Sequence, residues 1–226
     1  MTMSIFYKKT AQESEISITS PEALVAAVKR IGIIPFFENP IEGYSIEEMT
    51  PAENWFDDEN LGPWDWKIFA VQTGEIAYGK FLWNGKAAFA RADVYRHLLN
   101  YRRSLAKYSL QEKDRIAYEA ICRDGSHTSR ELRKLCGLKK AQMDSITTRL
   151  QQRTRIVIGD FERVYRGEFL TYSGWQLASF CRPEDLFDFD LEAIFPTPEE
   201  SLDYLKELVR GICPDAREAD IIKMLS

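Results

Sequence analysis

Three helical segments followed directly by a β-hairpin, between residues 109 and 180, constrain this fold more than any other feature of the chain. The first helix, 109–123, opens at Ser109 with Glu112 three residues on, and a turn follows at Asp124-Gly125-Ser126-His127. The second, 128–136, opens at Thr128 with Glu131 and stops before Gly137, where a left-handed cap residue is expected. The third, 139–153, carries Met143, Ile146 and Leu150 on one stripe and Gln142, Ser145, Arg149 and Arg153 on the opposite face. Two strands, 154–165 and 169–180, meet at Arg166-Gly167-Glu168. This is the element order of a winged helix-turn-helix, although a generic α+β subdomain can share it.

The flanking segments are marked by the same local chemistry. Ser20-Pro21-Glu22 places a cap before a proline at the first helical position, and Ala23 to Arg30 continues to Gly32. Two further Ser/Thr-x-x-Glu boxes, Thr50 with Glu53 and Thr197 with Glu200, open a short helix and a C-terminal one. Residues 64–90 read as strands, with Ile76–Trp83 and Ala87–Ala90 joined by Asn84-Gly85, a pair suited to positive φ at both turn positions. Residues 91–103 return to helix, and prolines 183, 196, 198 and 214 divide the end into helices at about 184–188, 198–211 and 216–225. The reading is an α+β fold. Residues 1–104 form an N-terminal helix and β-hairpin subdomain, 105–182 a winged-helix module, and 183–226 an acidic helical segment.

Charge separates along the chain. The 226 residues carry 30 basic and 35 acidic side chains, yet residues 101–155 hold 14 basic and 6 acidic, a local net of +8 against −13 elsewhere. Such asymmetry points to a polyanion-binding face, or to a basic helix pair docked on its own acidic remainder. No apolar run approaches the ~20 residues that span a bilayer. Met1–Gln12 lacks the apolar core of a secretory signal. Cys122, Cys136, Cys181 and Cys213 fit no zinc or redox spacing and read as reduced thiols of a cytoplasmic protein. Glycine-rich phosphate loops, nucleophile elbows and zinc-protease motifs are absent, and His97 and His127 read as surface residues.

Two stretches carry the candidate chemistry. Glu53 to Glu59 and Pro63-Trp64-Asp65-Trp66-Lys67 interleave tryptophans with carboxylates. Trp55, Trp64, Trp66 and Lys67, with Tyr78 and Lys80 on the next strand, are a candidate pocket for a planar ligand such as an extruded base. Asp65, and secondarily Glu53, would polarise water there. An aromatic cluster closing one end of the sheet fits the same composition. Asp57, Asp58 and Glu59 make a poor metal site, since consecutive acids rarely point the same way. No metal or cofactor is expected. The second stretch is the basic set. Lys139 and Lys140 open the third helix, Arg149, Arg153 and Arg155 close it, and Arg163 and Arg166 sit near the hairpin tip. Gln142 and Ser145 would reach base edges, with Arg102 and Arg103 adding phosphate contacts.

Several segments taken together carry a resemblance: Ile33-Ile34-Pro35-Phe36-Phe37, Pro63 to Lys67, Ala77-Tyr78-Gly79-Lys80-Phe81, Asn100-Tyr101-Arg102-Arg103 and Thr148-Arg149-Leu150-Gln151. Over about residues 30–180 the chain resembles the AlkZ-related bacterial proteins, distant relatives of the winged-helix AlkZ-like DNA glycosylases. The resemblance implies a DNA-linked, repair-type role. The glycosylases position water with a Gln-apolar-Gln or Gln-apolar-Asp motif after an early helix, whereas Ile33–Phe37 offers neither amide nor carboxylate, and Gln151-Gln152 is adjacent rather than alternating. No catalytic residue carries over. DNA binding through a winged helix is therefore the leading expectation. A divergent glycosylase or nucleotide-acting hydrolase, and a non-catalytic protein-interaction module, are the alternatives.

Overall fold

The computed structural model describes residues 16–55 and 61–226, so Met1–Gln12 and the acids Asp57, Asp58 and Glu59 lie outside the described residues. Helix α1 (Pro21–Ile31) begins as its sequence dictates, with Ser20 Oγ accepting the Ala23 N–H at 3.1 Å. Strand β1 (Ile33–Pro35) and the single-turn α2 (Ile46–Met49) follow. The hairpin of β2 (Ile76–Leu82) and β3 (Lys86–Arg91) turns where Asn84 and Gly85 adopt φ of 55° and 66°. Helix α4 (Ala92–Ser104) then leads to α5 (Glu112–Asp124), β4 (Ser126–Thr128), α6 (Ser129–Leu135) and α7 (Lys140–Gln152). Strands β5 (Val157–Arg166) and β6 (Thr171–Cys181) pair next, and α8 (Pro183–Phe187), α9 (Pro198–Ile212) and α10 (Glu218–Leu225) complete the chain.

All six strands join one antiparallel sheet in the order β1-β3-β2-β5-β6-β4. Tyr78 opposite Ile158 is the register point that joins β2 to β5, so the sheet runs without interruption across the 104/105 boundary. Helix α7 is fastened to β2 by a side chain rather than by apolar packing alone. Gln151 Oε1 accepts the Lys80 N–H at 2.9 Å, and a Cβ built on Gly79 would lie 2.7 Å from that same oxygen. A side chain at position 79 would push the Gln151 amide out of this bond. On the other side of α4 lies α9, where Asn100 Nδ2 donates to Pro196 O and Ser201 Oγ.

Three local expectations are corrected. Residues 64–72, read as the start of a strand region, belong to helix α3 (Pro63–Gln72). It packs against α1, β2 and β5 and buries Trp66, Lys67, Ile68, Ala70 and Val71, so its apolar residues fall on several faces and leave no periodic stripe in the sequence. Thr50 caps nothing at Glu53: its hydroxyl donates back to Ile46 O, and Ala52–Asn54 is a 3-10 turn. Ser109 is likewise no cap, because α5 begins at Glu112 behind Gln111. The boxes at Thr128 and Thr197 form as read.

His97 is no surface histidine. It stacks on Tyr204 at 4.2 Å between ring centroids and joins α4 to α9. No helix among the described residues is long and apolar enough to cross a membrane.

Candidate nucleic-acid interface and aromatic cleft

The burial stripe of α7 matches its sequence, with Met143, Ile146 and Leu150 inside. Its arginines do not behave as their spacing suggests. Asp114 on α5 is fully buried and accepts from Arg149 Nε at 3.1 Å and Nη2 at 2.6 Å, and from Arg153 Nη1 at 2.9 Å. Arg149 Nη1 also donates to Ser145 Oγ at 2.5 Å. Arg149, Arg153 and Ser145 thus belong to a joint between α5 and α7, and Arg153 is buried rather than exposed.

Arg102 is equally internal, donating to Gln152 O at 2.7 Å and Leu225 O at 2.5 Å. Arg103 pairs with Glu184 and donates to Thr154 O. Arg155 is part-buried, and burial with the neighbouring Arg103 charge lowers its pKa. Arg102 and Arg103 share a physical reason. The C-terminal turns of α7 and α10 leave carbonyls that need donors, and long cationic side chains supply them.

Lys139, Lys140, Gln142 and Arg166 remain at the surface, and Gln142 Oε1 is committed to the Lys139 N–H at 3.0 Å. Arg130 and Lys134 on α6, outside the set that the spacing picks out, are exposed as well. Trp175 on β6 is half exposed, with Lys140 Nζ 5.8 Å and the Arg166 guanidinium 5.5 Å from its ring centroid. The hairpin end is apolar as well as basic, with Tyr165, Phe169 and Leu170 all exposed.

The N-terminus of α3 docks on this same hairpin. Asp65 accepts from Arg163 Nη2 at 2.8 Å and from the Tyr172 hydroxyl at 2.6 Å, and Gln176 Nε2 donates to Trp64 O at 3.2 Å. Burial alone would raise the Asp65 pKa, but the Arg163 and Tyr172 hydrogen bonds outweigh it and hold the carboxyl below its usual range. Asp65 is therefore a tether between α3 and the hairpin, and Arg163 is its partner rather than an unpaired phosphate contact. Trp55 and Trp66 are core residues, Trp55 edge-on to Phe36 at 6.1 Å. Glu53 sits exposed on the 3-10 turn.

Trp64, Tyr78 and Lys80 do come together, lining a cleft of about 470 Å³ with Phe37, Glu38 and Glu47. Glu47 Oε2 accepts the Glu38 N–H at 3.0 Å, and Lys86 Nζ donates to Glu38 O at 2.9 Å. Neither carboxylate was singled out in the sequence. Glu38 stands one residue beyond the Ile33–Phe37 stretch, and Glu47 reaches the cleft from α2.

Lys67 lies behind the Trp64 wall. The residue is 3% exposed, and Nζ sits 3.3 Å from the Trp64 ring centroid and 5.3 Å from that of Phe161. Burial pulls its pKa from 10.5 to about 7, against the opposing charge of Asp65. Below that value the ammonium is charged in both folded and unfolded chains. Between it and 10.5 the unfolded chain binds the extra proton, so this residue makes stability rise with pH. Lys67→Met removes the effect. Its stability advantage over the parent should therefore shrink by about 1 kcal/mol per pH unit between roughly pH 7 and 9, as read from urea unfolding. A constant difference across that range would mean Lys67 titrates normally.

The fold and these sites define a mixed α+β protein with a basic helix-and-hairpin surface and an adjoining aromatic cleft. The chain belongs to the AlkZ-related family, whose model matches residues 18–226. No curated protein and no solved structure matches it.

Proposed function

We propose that this protein binds duplex DNA through a winged helix built from α5, β4, α6, α7, β5 and β6. The observation that carries the reading is β4. This three-residue strand between α5 and α6 pairs with β6 at Ser126↔Cys181, giving helix-strand-helix-helix-strand-strand with the sheet order β5-β6-β4. That is the winged-helix order, and family membership supports a DNA-binding or repair-linked role. The contacting cations in this reading are Lys139 and Lys140 at the start of α7, Arg166 on the hairpin, and Arg130 and Lys134 on α6.

Five phosphate contacts give a log K against log salt slope of about −4 to −5, measured by anisotropy with a labelled duplex. Replacing Lys139, Lys140 and Arg166 together by alanine should flatten it to about −2. An unchanged slope in the triple variant would move the interface elsewhere. Absence of duplex binding by the parent would end the reading.

A second reading, hydrolytic release of a damaged base, is favoured by the cleft rather than by Asp65. Trp64 offers an exposed ring for a flipped base, and Glu38 and Glu47 supply carboxylates in the same cleft. Base release from alkylated oligonucleotides that disappears in both Glu38→Gln and Glu47→Gln would favour it. Release that persists in both would exclude this cleft.

A further inference from the structure

We infer that the end of the β5–β6 hairpin is a wedge for the base stack: Phe169 and Leu170 enter a duplex where its stacking is already interrupted, by a gap or an unpaired base. This rests on the DNA-binding reading and adds to it the class of DNA that is selected.

The turn between the two strands carries apolar side chains that take no part in the core. Phe169 is 90% exposed and Leu170 69%. Leu170 stands at φ 49°, in the left-handed region, with its N–H on Gly167 O at 3.2 Å. A leucine there gains nothing from burial and sits in a backbone conformation that favours glycine or asparagine. Cations stand behind this apolar tip. Register places Arg166 opposite Thr171, on the strand face that also carries Trp175, and Lys140 of α7 reaches the same ring. An apolar point backed by cations complements a polyanion whose interior is a stack of rings. Glu168 is exposed in the same turn and is repelled by phosphate, so the turn itself is unsuited to lie along the backbone. That contact falls to Arg166 and Lys140.

Energetics select the kind of DNA. A side chain can be wedged between stacked base pairs only once that step is unstacked, and burial of a single ring returns about as much as the unstacking takes. Proteins that kink intact DNA recover the rest by wrapping it over a long surface. The exposed cations of this interface are confined to α6, α7 and the hairpin, which leaves an intact duplex with no such return. Where a nucleotide is missing or unpaired, the unstacking is already done. The Phe169 ring then stacks on an open base face at no further cost, and Leu170 covers the adjoining edge.

The test is anisotropy with the full chain and two labelled duplexes of one sequence, fully paired or lacking one nucleotide at the centre of one strand. The gapped duplex should bind about tenfold tighter, the worth of one base–aromatic stack. In the double variant Phe169→Ala/Leu170→Ala that preference should fall below about twofold. Affinity for the paired duplex and the slope of log K against log salt should both stay at the parent values, since no charge has changed. Both side chains are exposed, so the double variant should unfold at the parent temperature. Phe169→Trp, which keeps a stacking ring, should retain the preference. Equal binding of paired and gapped duplexes by the parent, or a preference that survives in the double variant, would overturn the wedge and leave the DNA-binding reading standing. Equal losses on both duplexes would overturn it as well, because the tip would then touch DNA without regard to stacking. A parent that binds neither duplex would remove both readings. Sedimentation showing a dimeric parent and a monomeric double variant would also overturn the wedge, and would assign the patch to contact between copies of this chain.

Discussion

Asp114→Ala is expected to destabilise the protein by about 3–5 kcal/mol, the range found when one partner of a buried charge cluster is removed. Asp114 is fully buried and holds both Arg149 and Arg153 through charge-assisted bonds of 2.6–3.1 Å. Without it, two guanidinium groups remain in the α5–α7 joint with no anion, and Arg153 is itself buried. Attraction between the charges is not the whole of this figure, because much of it is the desolvation of cations left alone. A second variant separates the two terms. Replacing Asp114, Arg149 and Arg153 together by leucine and methionines should recover most of the loss, since an apolar cluster of similar volume needs no compensating charge. Urea unfolding of the parent, single and triple variants measures both. A loss below about 1 kcal/mol for Asp114→Ala would mean that the arginines find water or another acceptor.

Arg102→Leu is expected to cost a similar amount, about 3 kcal/mol or more, for a different reason. Arg102 is 1% exposed and bridges the ends of two helices, donating to Gln152 O of α7 and Leu225 O of α10. Its charge sits where both helix dipoles end negatively, and its ring-facing contact with Tyr108 at 4.9 Å adds a further attraction. Leucine fills part of the volume and leaves both carbonyls without that donor. Arg102→Lys keeps the charge but presents a point donor that cannot span the fork, so an intermediate loss is expected. In the same variants, duplex affinity per folded molecule should stay at the parent value. A selective loss of affinity with stability unchanged would restore Arg102 to the DNA-contacting set.

These two residues show why the candidate interface was only partly legible. Composition marks residues 101–155 as the basic stretch of the chain. Five of its arginines, at 102, 103, 149, 153 and 155, turn out to be wholly or partly internal, and they bind carbonyls, Asp114 or Glu184 or lie beside Arg103. The quoted family segments share this character. Gly79, Asn100, Arg102, Arg103, Arg149 and Gln151 all fasten one element to another. Their place in those segments therefore reports the fold more directly than it reports contact with a ligand.

What the sequence determined by itself was local. The caps at Ser20, Thr128 and Thr197, the Asn84-Gly85 turn and the stripe of α7 each depend on residues within about four positions of one another, and all formed. Helix α3 was hidden because it is apolar around much of its circumference, so periodicity had nothing to report. The tertiary structure alone decided which cations face water. Arg149 and Arg153 meet Asp114 across 35 and 39 residues, and Arg102 meets Leu225 across 123. It also set Lys67 beneath Trp64 and against Phe161, and brought Glu38 and Glu47 to the same cleft as Trp64 and Tyr78. A side chain's solvation, and with it its charge state and its chemistry, is fixed by whatever the rest of the chain packs around it, and spacing along the sequence does not encode those neighbours.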